Sequence, residues 1–311
     1  MTKYIERRPS RSRYITVRGL RHHVLEWGEP SLVRPDRPPL VMQHGWMDVA
    51  ASFQFVVDAL PSDRYVLAFD WRGFGLTDTP SGDTYWLPDY TADLDAMLDA
   101  LFVGADATAA PIDLLGHSMG GNVVMIYAGL RPERIRRLVN LEGFGMPATQ
   151  PAQAPKRYLH WLDELKTPPE LRNYDSLERV AARLRKNNPL LPPERADWLA
   201  QHWSREVTDA AGTRYEILGD PIHKRSTPTL YQRDEVLEIW KQISAPLLWV
   251  EGDRTELERW WGTRYTKAEF HERLNVVTAR VERHVLAPAG HMLHHDQPEA
   301  LARLLENFLA P

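Results

Sequence analysis

Cysteine is absent from the 311 residues. That excludes disulfide frameworks, thiolate zinc sites, iron–sulfur clusters and a cysteine nucleophile. Any side chain that attacks a substrate is therefore Ser, Thr, Asp, Glu or Lys. A dominant charge is also missing: 38 Lys+Arg stand against 42 Asp+Glu, a formal net charge of −4, and no run of five or more like charges builds a local field. Nucleic acid is not an expected partner. No apolar stretch approaches the roughly 18 residues that cross a bilayer, and the opening segment MTKYIERRPSRSRY lacks the apolar centre of an export signal. The expectation is a cytoplasmic protein with no membrane partner. With 43% hydrophobic residues the chain buries a sizeable core, as one large α/β domain with an insertion or as two domains.

Short β-rich runs alternate with segments of helical period through the first 145 residues, which predicts a sheet covered by helices on both faces. Strands are expected at 14–17, 23–27, 40–43, 65–69, 112–115 and 136–141. The runs at 40–43 and 65–69 are nearly all apolar, as strands buried on two sides are. Tyr90, Leu94, Met97, Leu98 and Leu101 make one stripe of a helix with acidic residues near its start. From 146 to 241 the composition shifts to Pro, Trp and charge, with helix-length segments at 158–165, 177–186, 193–203 and 229–243 and no strand run. The α/β rhythm resumes with strands at 246–250 and 283–287 and a last helix carrying Leu301, Leu304, Leu305 and Phe308 on one face. The expected division is a core of residues 1–145 and 242–311 and a helical cap of residues 146–241.

Residues 112–121 read IDLLGHSMGG, a G-x-S-x-G pattern formed by Gly116, Ser118 and Gly120 between an expected strand and an expected helix. Small neighbours are needed there because a sharp strand-to-helix turn strains the serine and brings backbone close on both sides. A serine hydroxyl at neutral pH needs a histidine to take its proton and an acid to orient that histidine. Of twelve histidines, His291 lies between the last expected strand and the last helix, on the same sheet edge as Ser118. His294, His295 and Asp296 follow; H-x-x-H-H-D lacks the spacing of H-E-x-x-H zinc proteins, and no metal or cofactor is expected.

With these motifs in place the chain resembles the α/β-hydrolase superfamily over nearly its whole length. Gln43-His44-Gly45-Trp46 is similar to its His-Gly oxyanion loop, Asp70-Trp71-Arg72-Gly73-Phe74-Gly75 to its D-x-R-G-x-G loop, Gly116 to Gly121 to its nucleophile elbow and Gly290-His291 to its histidine loop. The resemblance implies a mostly parallel sheet with helices on both faces and a helical lid after the sixth strand. It also implies Ser118 as nucleophile, His291 as general base, and the backbone N–H groups of Trp46 and Met119 as the oxyanion hole. His44 and Arg72 then shape loops.

The acid stays open. The family most often places it after the seventh strand as G-x-x-D, but this chain has Gly252-Asp253-Arg254-Thr255-Glu256, with Thr255 in that place. Asp253 and Glu256 are candidates there, and Glu142, directly after the sixth strand, is another, where some related hydrolases carry theirs. A serine at the elbow, where dehalogenases and epoxide hydrolases carry aspartate, favours acyl transfer. Lid aromatics Tyr158, Trp161, Trp198, Trp203 and Trp240, with Trp260 and Trp261, imply an apolar pocket, and Arg157, His160 and His223 are its polar candidates. The expected activity is hydrolysis of carboxylic esters of small to medium apolar substrates, by a monomer or homodimer. Alternatives are carbon–carbon or lactone hydrolysis by the same groups, cofactor-free oxygenase or perhydrolase chemistry, or a small-molecule receptor on the same scaffold.

Overall fold

The computed structural model describes residues 3–102, 110–210 and 212–311. Ten strands are named in chain order. They are β1 (Arg11–Val17), β2 (Leu20–Trp27), β3 (Leu40–Gln43), β4 (Val66–Phe69), β5 (Ile112–His117), β6 (Ile135–Leu141), β7 (Ser204–Asp209), β8 (Gly212–Ile217), β9 (Leu247–Gly252) and β10 (Val281–Leu286). Eight of them form one sheet in the order β1-β2-β4-β3-β5-β6-β9-β10. The pairs β1–β2 and β2–β4 are antiparallel and every other neighbour is parallel. This is the mostly parallel α/β sheet expected from the sequence.

Alternation along each central strand explains the continuous apolar runs. Met42, Ala68, Leu115, Val139 and Leu248 face one core cluster, while Val41, Leu67, Leu114, Leu138 and Leu247 face the other. Each buried Leu, Val or Met among them contributes about 1.5–3 kcal/mol relative to exposure. Slipping a strand by one residue exchanges its two sets of side chains between the clusters, so the packing on both faces holds the register.

One cluster is covered by helices α2 (Leu87–Phe102), α3 (Met119–Leu130), α7 (Arg233–Trp240) and α9 (Lys267–Leu274). The other is covered by α1 (Gln54–Val57), α6 (Pro193–Trp203), α10 (Leu293–Asp296) and α11 (Pro298–Leu309). Helices α4 (Ala154–Lys166), α5 (Leu177–Asn187) and α8 (Glu258–Trp261) complete the set. At the amino-terminal end of β5, buried Asp113 is gripped by Arg136 at 2.7 and 2.9 Å and by Arg64 at 3.2 Å. Arg64 itself reaches Glu306 of α11 at 2.8 Å. That network locks the sheet edge opposite the strands' carboxyl ends.

Between β6 and β9 the chain is not purely helical. β7 and β8 pair antiparallel as a separate two-stranded ribbon, which corrects the reading of residues 146–241 as free of strands. SREVTD is mostly exposed and carries charge on both sides, and GTRYEI is mostly half-buried with only Tyr215 and Ile217 apolar, so no apolar run marks them. Backbone bonds from Gly75 N to Leu218 O (2.9 Å) and Asp220 N to Gly73 O (2.8 Å) tie this segment to the loop after β4. No helix among the described residues is long and apolar enough to cross a membrane.

Candidate active site

The turn from β5 into α3 follows from its small residues. A Cβ added at Gly116 would meet Gly120 O at 2.4 Å, and one at Gly120 would meet Gln43 O at 2.3 Å, so any larger side chain would force these backbones apart. Ser118 sits between them at φ 53°, ψ −116°, a region that costs a non-glycine residue on the order of 1–3 kcal/mol. Its N–H donates to Leu141 O at 2.8 Å, which fixes the serine beside the end of β6. The hydroxyl is thereby presented at the carboxyl edge of the sheet, half-buried.

Two side chains continue from it. Ser118 Oγ lies 2.9 Å from His291 Nε2, and His291 Nδ1 lies 2.9 Å from Glu142 Oε2. The carboxylate accepts from Nδ1–H, leaving the Nε2 lone pair toward the serine. Glu142 is 1% exposed, at φ 59°, and its Oε1 accepts the Gly252 N–H at 2.6 Å. Burial raises the Glu142 carboxyl above its usual range, partly opposed by that N–H. Burial likewise pulls the His291 imidazole down to about 4. The low dielectric disfavours a lone charge on either group, so the resting imidazole is the free base.

The acid candidates separate here. Asp253 Oδ1 caps the Ala289 N–H at 2.8 Å and Glu256 bonds exposed Arg259 at 2.8 Å; neither is the carboxylate on His291. Thr255 is buried beside this turn. Met119 opens α3, so its N–H has no acceptor within the helix. Trp46 follows Gly45, where an added Cβ would lie 3.1 Å from Ser118 Cβ. Both residues line the same cavity as Ser118.

Residues 38–298 match the profile described as the alpha/beta hydrolase fold. The chain belongs to the alpha/beta hydrolase family. Over 297 residues it is 27% identical to a serine hydrolase-like protein of Danio rerio, covering 92% of this chain and 84% of the relative. It is 23% identical over 274 residues to Esterase YbfF of Escherichia coli (strain K12), covering 87% and 92%. Among solved structures it is similar to a thioesterase domain from the curacin biosynthetic pathway. That match has TM-score 0.77 and 25% identity, covering 96% of this chain and 99% of the other.

The hydrolase's cavity measures about 1470 Å³ and opens over Ser118, Glu142 and His291. Trp86, Met119, Phe144, Met146 and Trp261 give it an apolar lining, and Trp260 sets its ring edge-on to His291 at 4.5 Å. Of the aromatics in the long insertion, Trp240 and Tyr231 reach the cavity. Trp198 and Trp203 instead pack in the core, their indoles bonding Glu6 and Met47 O. Tyr158 is half exposed; neither it nor Trp161 is among the residues that line the cavity. Arg157 and His223 line it, while His160 pairs with Glu164 at 3.3 Å outside it.

His44 and Arg72 are held inward. His44 Nε2 accepts the Trp71 N–H at 3.0 Å, and Arg72 grips Asp93 with both arms at 2.5 and 2.7 Å. Sequence reasoning missed two contacts of the histidine loop. Trp260 on His291 is one; the other is His117, whose Nε2 donates to the His291 carbonyl at 2.7 Å. His117 is the first of the two variable residues of G-x-S-x-G, and nothing in that pattern marks it.

Proposed function

We propose that this hydrolase cleaves carboxylic esters of small to medium apolar substrates through an acyl-serine intermediate. The observation that carries the reading is the pair of 2.9 Å hydrogen bonds joining Ser118, His291 and Glu142 on the floor of one apolar cavity. His291 Nε2 takes the hydroxyl proton as Ser118 Oγ attacks the ester carbonyl carbon. The new imidazolium is stabilised by Glu142 through Nδ1–H. The carbonyl oxygen, now anionic, is met by the N–H groups of Met119 and Trp46, each such donor lowering the barrier by roughly 3–4 kcal/mol. His291 then passes its proton to the departing alkoxide. A water deprotonated by the same nitrogen attacks the acyl carbon, and Ser118 leaves with the proton restored.

Within residues 146–241 the stretches 146–157 and 223–240, which line the cavity, act in this reading as its lid, with Arg157, Tyr231 and Trp240 facing the substrate. The similarity to Esterase YbfF and to a thioesterase domain agrees with acyl transfer. The test is turnover of p-nitrophenyl acetate, butyrate and octanoate by the wild type and by Ser118→Ala. Turnover by the wild type alone, with a preference that tracks the size of the cavity, is expected. Saturable ligand binding without turnover on any ester would overturn the reading in favour of a receptor.

A further inference from the structure

Beneath the hydrogen-bonded relay lies a second group of side chains that ester cleavage does not use. Asp48, His117 and His294 are buried, at 5%, 1% and 0% exposure. One potential ligand atom from each lies within 4.8 Å of the other two. Three separate segments supply them: the loop after β3, the end of β5 and the short helix α10.

The hydrogen bonding of His117 decides which atom it offers. A carbonyl oxygen only accepts, so the 2.7 Å contact with His291 O requires the proton on Nε2. Nδ1 then carries a lone pair, and it has no hydrogen-bond partner among the described residues. A metal-bound imidazole shows this same arrangement, with one nitrogen on the ion and the other N–H held by a carbonyl or carboxylate. Asp48 Oδ2 is likewise without a partner among the described residues. It lies 3.9 Å from His294 Nε2. Ser52 Oγ stands 3.4 Å from that nitrogen but is much closer to His295 Nε2, at 2.5 Å. His294 Nδ1 also lacks a partner among the described residues, so buried polar atoms gather here with little hydrogen bonding, an arrangement that costs free energy until a ligand joins them.

We propose that Asp48, His117 and His294 form a binding site for one divalent transition-metal ion, with Zn²⁺ the best match. Two imidazoles and one carboxylate are a zinc donor set, whereas Mg²⁺ and Ca²⁺ take mainly oxygen. In a tetrahedral zinc site with bonds of about 2.1 Å the ligand atoms stand about 3.4 Å apart, so the Asp48–His294 edge closes by about half an ångström. A water completes the fourth position. His117 is the neighbour of Ser118 and holds the His291 carbonyl, which links the ion to the relay without placing it in the cavity.

The test uses the full chain stripped with a chelator and titrated with Zn²⁺ by calorimetry and by competition with a chromophoric chelator. Co²⁺ serves as the spectroscopic probe. One ion per chain is expected, with the visible bands of four-coordinate Co²⁺. Affinity should fall at least about tenfold in Asp48→Asn and in His294→Gln, and stay unchanged in Ser118→Ala and His160→Gln. Absence of stoichiometric binding overturns the site, as does binding that Asp48→Asn and His294→Gln leave intact. Binding lost in Ser118→Ala or His291→Ala but kept in His294→Gln overturns it too, by moving the ion to the relay. If the variants fail to fold, X-ray absorption of the Zn²⁺-loaded wild type decides: two imidazoles support the site, and one or none overturns it.

Discussion

Glu142 Oε1 accepts the Gly252 amide at 2.6 Å, which leaves Oε2 facing His291 Nδ1 at 2.9 Å. The tips of β6 and β9 are therefore joined through the same carboxylate that orients the histidine. Replacing it with an amide keeps the shape but turns an N–H toward Nδ1, which forces the imidazole proton onto Nε2, opposite Ser118. Glu142→Gln should lower kcat for ester hydrolysis by about 10³–10⁴-fold. Asp253→Asn and Glu256→Gln should each stay within about threefold of wild type, since their carboxylates serve Ala289 and Arg259. Steady-state kinetics on one activated ester compares all three.

The pH profile follows from the sign of the histidine shift. The proposed mechanism requires a neutral His291, and its pKa is lowered from 6.5 to about 4. A lower pKa keeps the imidazole neutral further into acid, so protonation of His291 should set no acid limb near 6.5. Burial raises the Glu142 carboxyl to about 8, so a limb above 6.5 should disappear from the residual activity of Glu142→Gln; one that persists there would contradict the burial argument.

Strain at the elbow has its own signature. Ser118 holds a positive φ that glycine adopts freely. Relief of strain of about 1–3 kcal/mol, less the greater chain entropy of glycine, leaves Ser118→Gly more stable by about 1 kcal/mol, or a Tm rise of about 2 °C. Hydrolysis should vanish in the same variant. Scanning calorimetry beside an ester assay reads both.

The opposite edge of the sheet should carry stability without activity. Asp113→Asn removes the charge shared by buried Arg64 and half-buried Arg136; Arg64 keeps Glu306, so the loss should be about 2 kcal/mol, short of the roughly 3–5 kcal/mol of a wholly unpaired buried charge. Urea denaturation should show that loss, while kcat per folded molecule stays near wild type.

The sheet was legible in the sequence because β3, β4, β5 and β9 are buried on both faces and so read as mostly apolar runs, with Asp113 an exception in β5. G-x-S-x-G was legible because Gly116 and Gly120 answer to backbone approaches that no other residue fits. The acid was not, since Glu142, Asp253 and Glu256 all follow a strand end and only the distance to His291 separates them. The β7–β8 ribbon escaped because β7 is exposed and charged and β8 offers only Tyr215 and Ile217 as apolar residues. Asp48, His117 and His294 escaped because three distant segments bring them together, a juxtaposition that no local spacing encodes.

The account turns on Ser118 as the acylated nucleophile. Rapid quench of the enzyme with p-nitrophenyl butyrate, followed by intact-mass measurement and peptide mapping, tests it directly. The account predicts a butyryl-sized increase in mass on the peptide containing Ser118, formed with a burst of p-nitrophenol and absent in Ser118→Ala. Turnover with no adduct on Ser118, or an adduct that persists in Ser118→Ala, would contradict it.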